Sequence, residues 1–144
     1  MGSGFDGSVM SQSASAEAVV REYYDALRDG DPLAPYFADD ERTVKFGISE
    51  SLFGGSEIAA ALEEQTETTD EWTVESTNLV VDERDGFATV TDEVTMAWTK
   101  TTTGERYRFD SRWSATLVER DSDDDSSASD WRFAVMHVSA PHQL

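Results

Sequence analysis

The chain has 144 residues, with 30 Asp and Glu against 11 Lys and Arg, a formal net charge of −19, a pI near 4.1 and no cysteine. Such a length holds one domain with a real core and is too short for two comfortable ones. The charge speaks against nucleic acid and anionic membrane surfaces as partners; no apolar run approaches the roughly 20 residues that span a bilayer, and there is no disulfide, thiolate nucleophile or cysteine zinc site.

Residues 1–15 are rich in Gly and Ser and carry neither a basic segment nor an apolar core of signal-peptide length, so they read as a flexible tail and a cytoplasmic location is expected. From Ala16 to Asp29 the apolar residues Val19, Val20, Tyr23, Tyr24 and Leu27 fall at helical spacing, with Ser15 placed to cap the start and Gly30 and Pro32 to end it. Pro32 to Phe37 reads as a short helical turn. Val44, Phe46 and Ile48 alternate with Thr43, Lys45 and Gly47, which is a strand; after Gly54-Gly55, Ser56 is placed to cap a helix that ends near Thr69.

From Trp72 onward the period is two. Four strands are expected over Trp72 to Val81, Phe87 to Trp98, Tyr107 to Glu119 and Trp131 to Ala140, and short turns at Asp85-Gly86 and Thr103-Gly104 make neighbours antiparallel. The linker 121–130 is almost all Asp and Ser, a solvated loop. Helices first and a long meander afterwards predict an α+β fold in which a curved antiparallel sheet forms a cone around N-terminal helices, one domain over residues 16–144.

Composition adds one more expectation. Lys45 and Lys100 are the only lysines, the other nine cations being arginines. Carboxylate-rich, lysine-poor surfaces suit molar salt, where the Debye length shrinks to about 3 Å and self-repulsion ceases to cost stability.

The helix Ala18-Val19-Val20-Arg21-Glu22-Tyr23-Tyr24-Asp25-Ala26-Leu27, the segment Val44-Lys45-Phe46-Gly47 leading to Gly54-Gly55-Ser56-Glu57-Ile58, and the closing Arg112-Trp113-Ser114 and Trp131 to Ser139 together resemble the SnoaL-like branch of the nuclear transport factor 2 superfamily, over roughly residues 16 to 140. That resemblance implies a cystatin-like α+β roll enclosing a pocket and a homodimer formed sheet to sheet; with the acidic composition, a halophilic archaeal source is expected. It implies no single activity, because relatives include cyclases, isomerases, dehydratases, epoxide hydrolases and domains that only bind or oligomerise.

Two residues are candidates for chemistry. Asp92 falls in the row of Ala88, Val90, Val94, Met96 and Trp98, where desolvation would suit a carboxylate to acid or base work, whereas a bulge or a neighbouring strand would leave it structural. His137 shares the expected inner face of Trp131, Phe133, Val135 and Ser139 and is placed either to exchange a proton or to pack; His142 reads as a surface residue. Tyr23, Tyr24, Phe46, Met96, Trp98, Tyr107 and Trp113 are the expected pocket walls. Arg108 and Asp110 have the spacing of an epoxide hydrolase pair, but alternation puts them on the outer face with Arg106 and Arg112. Neither a cofactor nor a metal is implied, and Asp123 to Asp125 do not match a calcium loop. Three readings follow: a small-molecule-binding homodimer, an acid/base isomerase, cyclase or dehydratase built on Asp92 and His137, and a pure oligomerisation module.

Overall fold

A computed structural model describes residues 15–120 and 130–142. The expected tail 1–15, apart from Ser15, and the acidic loop 121–130, apart from Asp130, lie outside the described residues, as do Asp123 to Asp125. Helix α1 spans Ala16–Asp29, a 3-10 turn follows at Ala34–Tyr36, and strands β1 (Val44–Gly47) and β2 (Glu50–Phe53) form a hairpin before helix α2 (Gly55–Thr68). Strands β3 (Thr69–Ser76), β4 (Val80–Glu83), β5 (Phe87–Lys100), β6 (Arg106–Arg120) and β7 (Asp130–Ser139) complete the chain.

The strands make one sheet in the order β2-β1-β7-β6-β5-β3, with β4 also on β5. All pairings are antiparallel except β1 with β7, which is parallel, so the sheet is mixed where a purely antiparallel one was expected. The reason is topological: β1 has its neighbour in sequence, β2, on one side only, and its other side enters the sheet beside the final strand.

Each helix is held by identifiable contacts. Ser15 Oγ accepts from Ala18 N–H at 3.1 Å, as its cap position requires, and Glu83 on β4 accepts from Ala16 N–H at 2.9 Å. At the other end of α1, Arg28 donates twice to the Val74 carbonyl, at 2.7 and 3.1 Å, fastening the helix to β3. Helix α2 begins two residues earlier than a cap at Ser56 would dictate: Gly54 is its N-cap, at φ 92°, and no side chain caps it. The glycine pair is needed there because Gly54 adopts a left-handed φ and a Cβ on Gly55 would stand 3.0 Å from Asp39 Cα.

Two irregularities shape the sheet. The strand expected from Trp72 to Val81 begins at Thr69 and breaks after Ser76 into β3 and β4, both paired to β5. In β7, Thr116 pairs with Val135 while Leu117 pairs with Phe133, which leaves Ala134 as an extra residue and reverses the facing of everything after it. The core gathers the inward residues of β5, β6 and β7 against Val20, Tyr23, Tyr24 and Leu27 of α1 and Ile58 and Leu62 of α2. Tyr23 sits at its aromatic centre, edge-on to Tyr36, Phe37, Trp113 and Phe133 at 5.2–6.2 Å.

Candidate functional site

Strand β5 keeps strict alternation through position 92, so Asp92 faces inward and is only 4% exposed. Its two oxygens are fully engaged: Oδ2 accepts from the Tyr24 hydroxyl at 2.7 Å and from Ser76 Oγ at 2.6 Å, and Oδ1 accepts from Asn78 N–H at 3.0 Å. The break between β3 and β4 thus frees a backbone N–H that the carboxylate uses. Burial, then the bond to Asp92, pushes the Tyr24 phenol far above its usual range. Asp92 joins α1, the end of β3 and β5, and it does not border the cavity described next.

That cavity, about 470 Å³, opens beside α2 at the end of the sheet where β1, β5, β6 and β7 meet α1. A volume of this order suits a one- or two-ring organic molecule. Tyr23, Leu27, Met96, Trp113, Met136 and Val138 border it among the buried residues. One wall is a run of stacked rings: Trp98 lies against Trp72 at 4.7 Å, Tyr107 at 5.7 Å and Phe109 at 5.6 Å, with interplanar angles of 20–28°.

Lys45 borders the same space and is 6% exposed, an ammonium carried to the inner face by the β1 backbone. Its Nζ donates to Glu50 Oε2 at 2.8 Å across the β1–β2 hairpin. Because β1 runs parallel to β7 with Lys45 beside Met136, the bulge at Ala134 fixes both residues inward. The Tyr23 hydroxyl is the second buried polar group at the cavity. The residue is 2% exposed, and burial together with the charge of Glu50 raises its pKa well above the usual phenol range. No hydrogen bond of that hydroxyl to another side chain occurs among the described residues, in contrast to Tyr24. An ammonium and a phenol, set in an aromatic and aliphatic cavity, can together hold an oxygen acceptor.

Five of the expected pocket walls, Tyr23, Met96, Trp98, Tyr107 and Trp113, border the cavity, whereas Tyr24 and Phe46 do not. Tyr24 is turned to Asp92. Phe46 pairs with His137 and lies on the outer sheet face, edge-on to Phe53 and His137 at 5.9 and 5.7 Å. The expected inner placement of His137 is corrected by the bulge at Ala134, after which Met136 and Val138 point inward and His137 is exposed. His137 and Asp92 therefore stand on opposite faces of the sheet. Arg108 and Asp110 pair at 3.3 Å on the exposed outer face, as alternation required, and His142 is exposed. Lys45 and Glu50 were not singled out by the sequence reading. Among the described residues no group of three or more His, Asp or Glu is arranged to hold a metal ion, and no helix is long and apolar enough to cross a membrane.

Two helices enclosed by a curved, unclosed mixed sheet, with a cavity at one end, define the nuclear transport factor 2-like, cystatin-like class of α+β domains. Within that class the chain belongs to the SnoaL-like domain family, whose model matches residues 16–143. Among solved structures it is similar to a nuclear transport factor 2 superfamily protein from Salmonella enterica, with TM-score 0.69 and 16% identity over 87% of each chain. A protein of unknown function in nutrient uptake from Rhodospirillum rubrum has TM-score 0.71 and 14% identity over 90% of this chain and 100% of that one. A candidate scytalone dehydratase from Novosphingobium aromaticivorans has TM-score 0.69 and 17% identity over 88% and 81%. At these identities the likeness establishes a shared fold. No curated protein matches the sequence.

Proposed function

We propose that the domain binds a small, largely apolar organic molecule in the sheet-enclosed cavity and does so as a homodimer. The observation that carries this reading is the cavity of about 470 Å³, walled by Trp72, Trp98 and Tyr107 and supplied with donors by Lys45 and Tyr23. A module devoted to assembly alone has no need of such a space. The outer sheet face supports the dimer: Phe53 and Val135 are 58% and 43% exposed there, beside Phe46. The excess of acidic residues supports a working medium of high ionic strength inside a halophilic cell.

Calorimetric titration with one- and two-ring aromatic compounds, neutral and charged, tests the binding reading. Saturable binding that Trp98→Ala weakens about tenfold or more is expected; heat changes absent across the whole panel would remove it. Light scattering at increasing salt reports the dimer, and Phe53→Asp should shift it toward monomer.

A second reading, an isomerase, cyclase or dehydratase working by proton transfer, has one observation in its favour: the Glu50 carboxylate and the Tyr23 phenol border the same cavity. In this version Glu50 takes the role the sequence suggested for Asp92, and Tyr23 polarises a carbonyl. The dehydratase assignment of the Novosphingobium protein belongs to this reading. Turnover of a cyclic ketone that survives Glu50→Gln would dismiss it.

A further inference from the structure

We infer that the cavity is selective for organic anions, specifically planar aromatic carboxylates, and that Glu50 is a built-in competitor that occupies the carboxylate subsite until such a ligand displaces it. This rests on the binding reading above and names its ligand class.

The first support is where the lysines are. The chain has two, against nine arginines and 30 acidic residues, and both Lys45 and Lys100 border this cavity. None of the arginines borders it. A chain that otherwise meets its need for cations with arginine thus has one ammonium buried in the cavity and another exposed at its edge. Lys100 makes no ion pair among the described residues, so its field is available to an incoming anion.

The second support is the state of Lys45. A buried ammonium has three N–H donors, and among the described residues only Glu50 engages one of them. Its side chain is 8% exposed while that of Glu50 is 37% exposed, so the two halves of this pair differ in how firmly they are held. Lys45 is fixed by the strand; Glu50 can turn out to water at little desolvation cost. The Tyr23 hydroxyl borders the same cavity, unbonded to any side chain, so the buried donors there are Lys45 and Tyr23, whereas the other carboxylate of the lining, Glu64, is exposed to water.

The third support is how Glu50 gets there. It reaches Lys45 by lying across Gly47, its pairing partner in the hairpin: a Cβ built on Gly47 would stand 2.8 Å from both Glu50 Cγ and Oε2. Any side chain at position 47 would push the carboxylate aside. The carboxylate of Glu50 therefore stands in for a ligand carboxylate on the ammonium, and the ligand's ring would rest in the aromatic part of the cavity, against Trp98 and its stacked neighbours.

The test compares two compounds of the same shape, 2-naphthoate and 2-naphthamide, by isothermal titration calorimetry at matched ionic strength. The intact chain should bind the acid at least about tenfold more tightly than the amide, since a charge-assisted bond is roughly twice as strong as a neutral one. Glu50→Gln and Gly47→Ala should each raise affinity for naphthoate, and by a larger factor than for naphthamide, while Lys45→Met should abolish the preference. Equal affinity of the intact chain for acid and amide would overturn the charge selectivity and leave the cavity reading standing. Weaker or unchanged naphthoate binding in both Glu50→Gln and Gly47→Ala would overturn the competitor role. Failure of both compounds to bind would remove the binding reading, and this inference with it.

Discussion

Asp92 and Lys45 are the two charged side chains buried among the described residues, at 4% and 6% exposure, and they sit in opposite halves of the sheet. Asp92 receives three hydrogen bonds from two separate segments, α1 and the stretch 76–78, two of them from buried or half-buried hydroxyls. Lys45 has one partner, and that partner is more than a third exposed. Equal burial thus hides opposite conditions. A carboxylate saturated by its own protein acts as a joint, whereas an ammonium with donors to spare beside a cavity is equipped to meet something from outside. Burial of charge marks a candidate; the count of satisfied bonds decides between architecture and recognition.

The largest effect that would sharpen this contrast is expected at Asp92. Asp92→Ala leaves the Tyr24 and Ser76 hydroxyls and the Asn78 N–H without an acceptor and should cost about 3–5 kcal/mol of unfolding free energy. Urea denaturation measures it, and a loss below about 1 kcal/mol would end the view of Asp92 as a joint. Next comes Tyr24→Phe, which removes one of the three donors and should cost about 1–2 kcal/mol by the same measurement.

The same tyrosine sharpens the comparison through pH. Burial raises the phenols of Tyr23 and Tyr24 above their unfolded values, so the unfolded chain releases those protons first. Their contribution is intact below about pH 10 and is lost as pH rises beyond it. Thermal melts between neutral and strongly alkaline pH should show this decline, flattened in Tyr24→Phe. The smallest effect is expected at the other pole: Lys45→Met keeps the volume, frees a partly exposed Glu50 to water and should change stability by no more than about 1 kcal/mol. A loss as large as that of Asp92→Ala would erase the distinction between the two sites.

Much of the scaffold was legible because alternation is reliable where one parity is apolar. In β5 the row Ala88, Val90, Val94 and Met96 set one parity inward, no bulge interrupts it, and Asp92 is found where that row puts it. Strand β7 offered no such guide. Trp131, Phe133 and Val135 share one parity and Met136 and Val138 the other, so a single extra residue at Ala134 changes which set is inside without violating any hydrophobic pattern. Two of the misplaced site residues, His137 and Phe46, descend from that bulge, because β1 takes its facing from β7, whereas the third, Tyr24, is turned from the cavity by its bond to Asp92. The short strand β2 lacked a signal too, since the Ile48-Ser49 connection has none of the Gly or Asn that announce a tight hairpin. Lys45 did leave a trace in the sequence. In a chain this poor in lysine, each one is an exception to the composition, and an exception on a strand is worth a closer look.

The parallel pairing of β1 with β7 carries a consequence for biogenesis. Val44 is synthesised early and its neighbour Val135 after every other strand, and Ala38 N–H likewise waits for the Phe133 carbonyl. On the ribosome the Lys45 hairpin and α2 therefore emerge long before the strand that docks them exists. Contacts so distant in sequence are slow to form. The domain therefore acquires its interior only once β7 has emerged, not when the first helices appear, and until then its apolar surfaces stay uncovered.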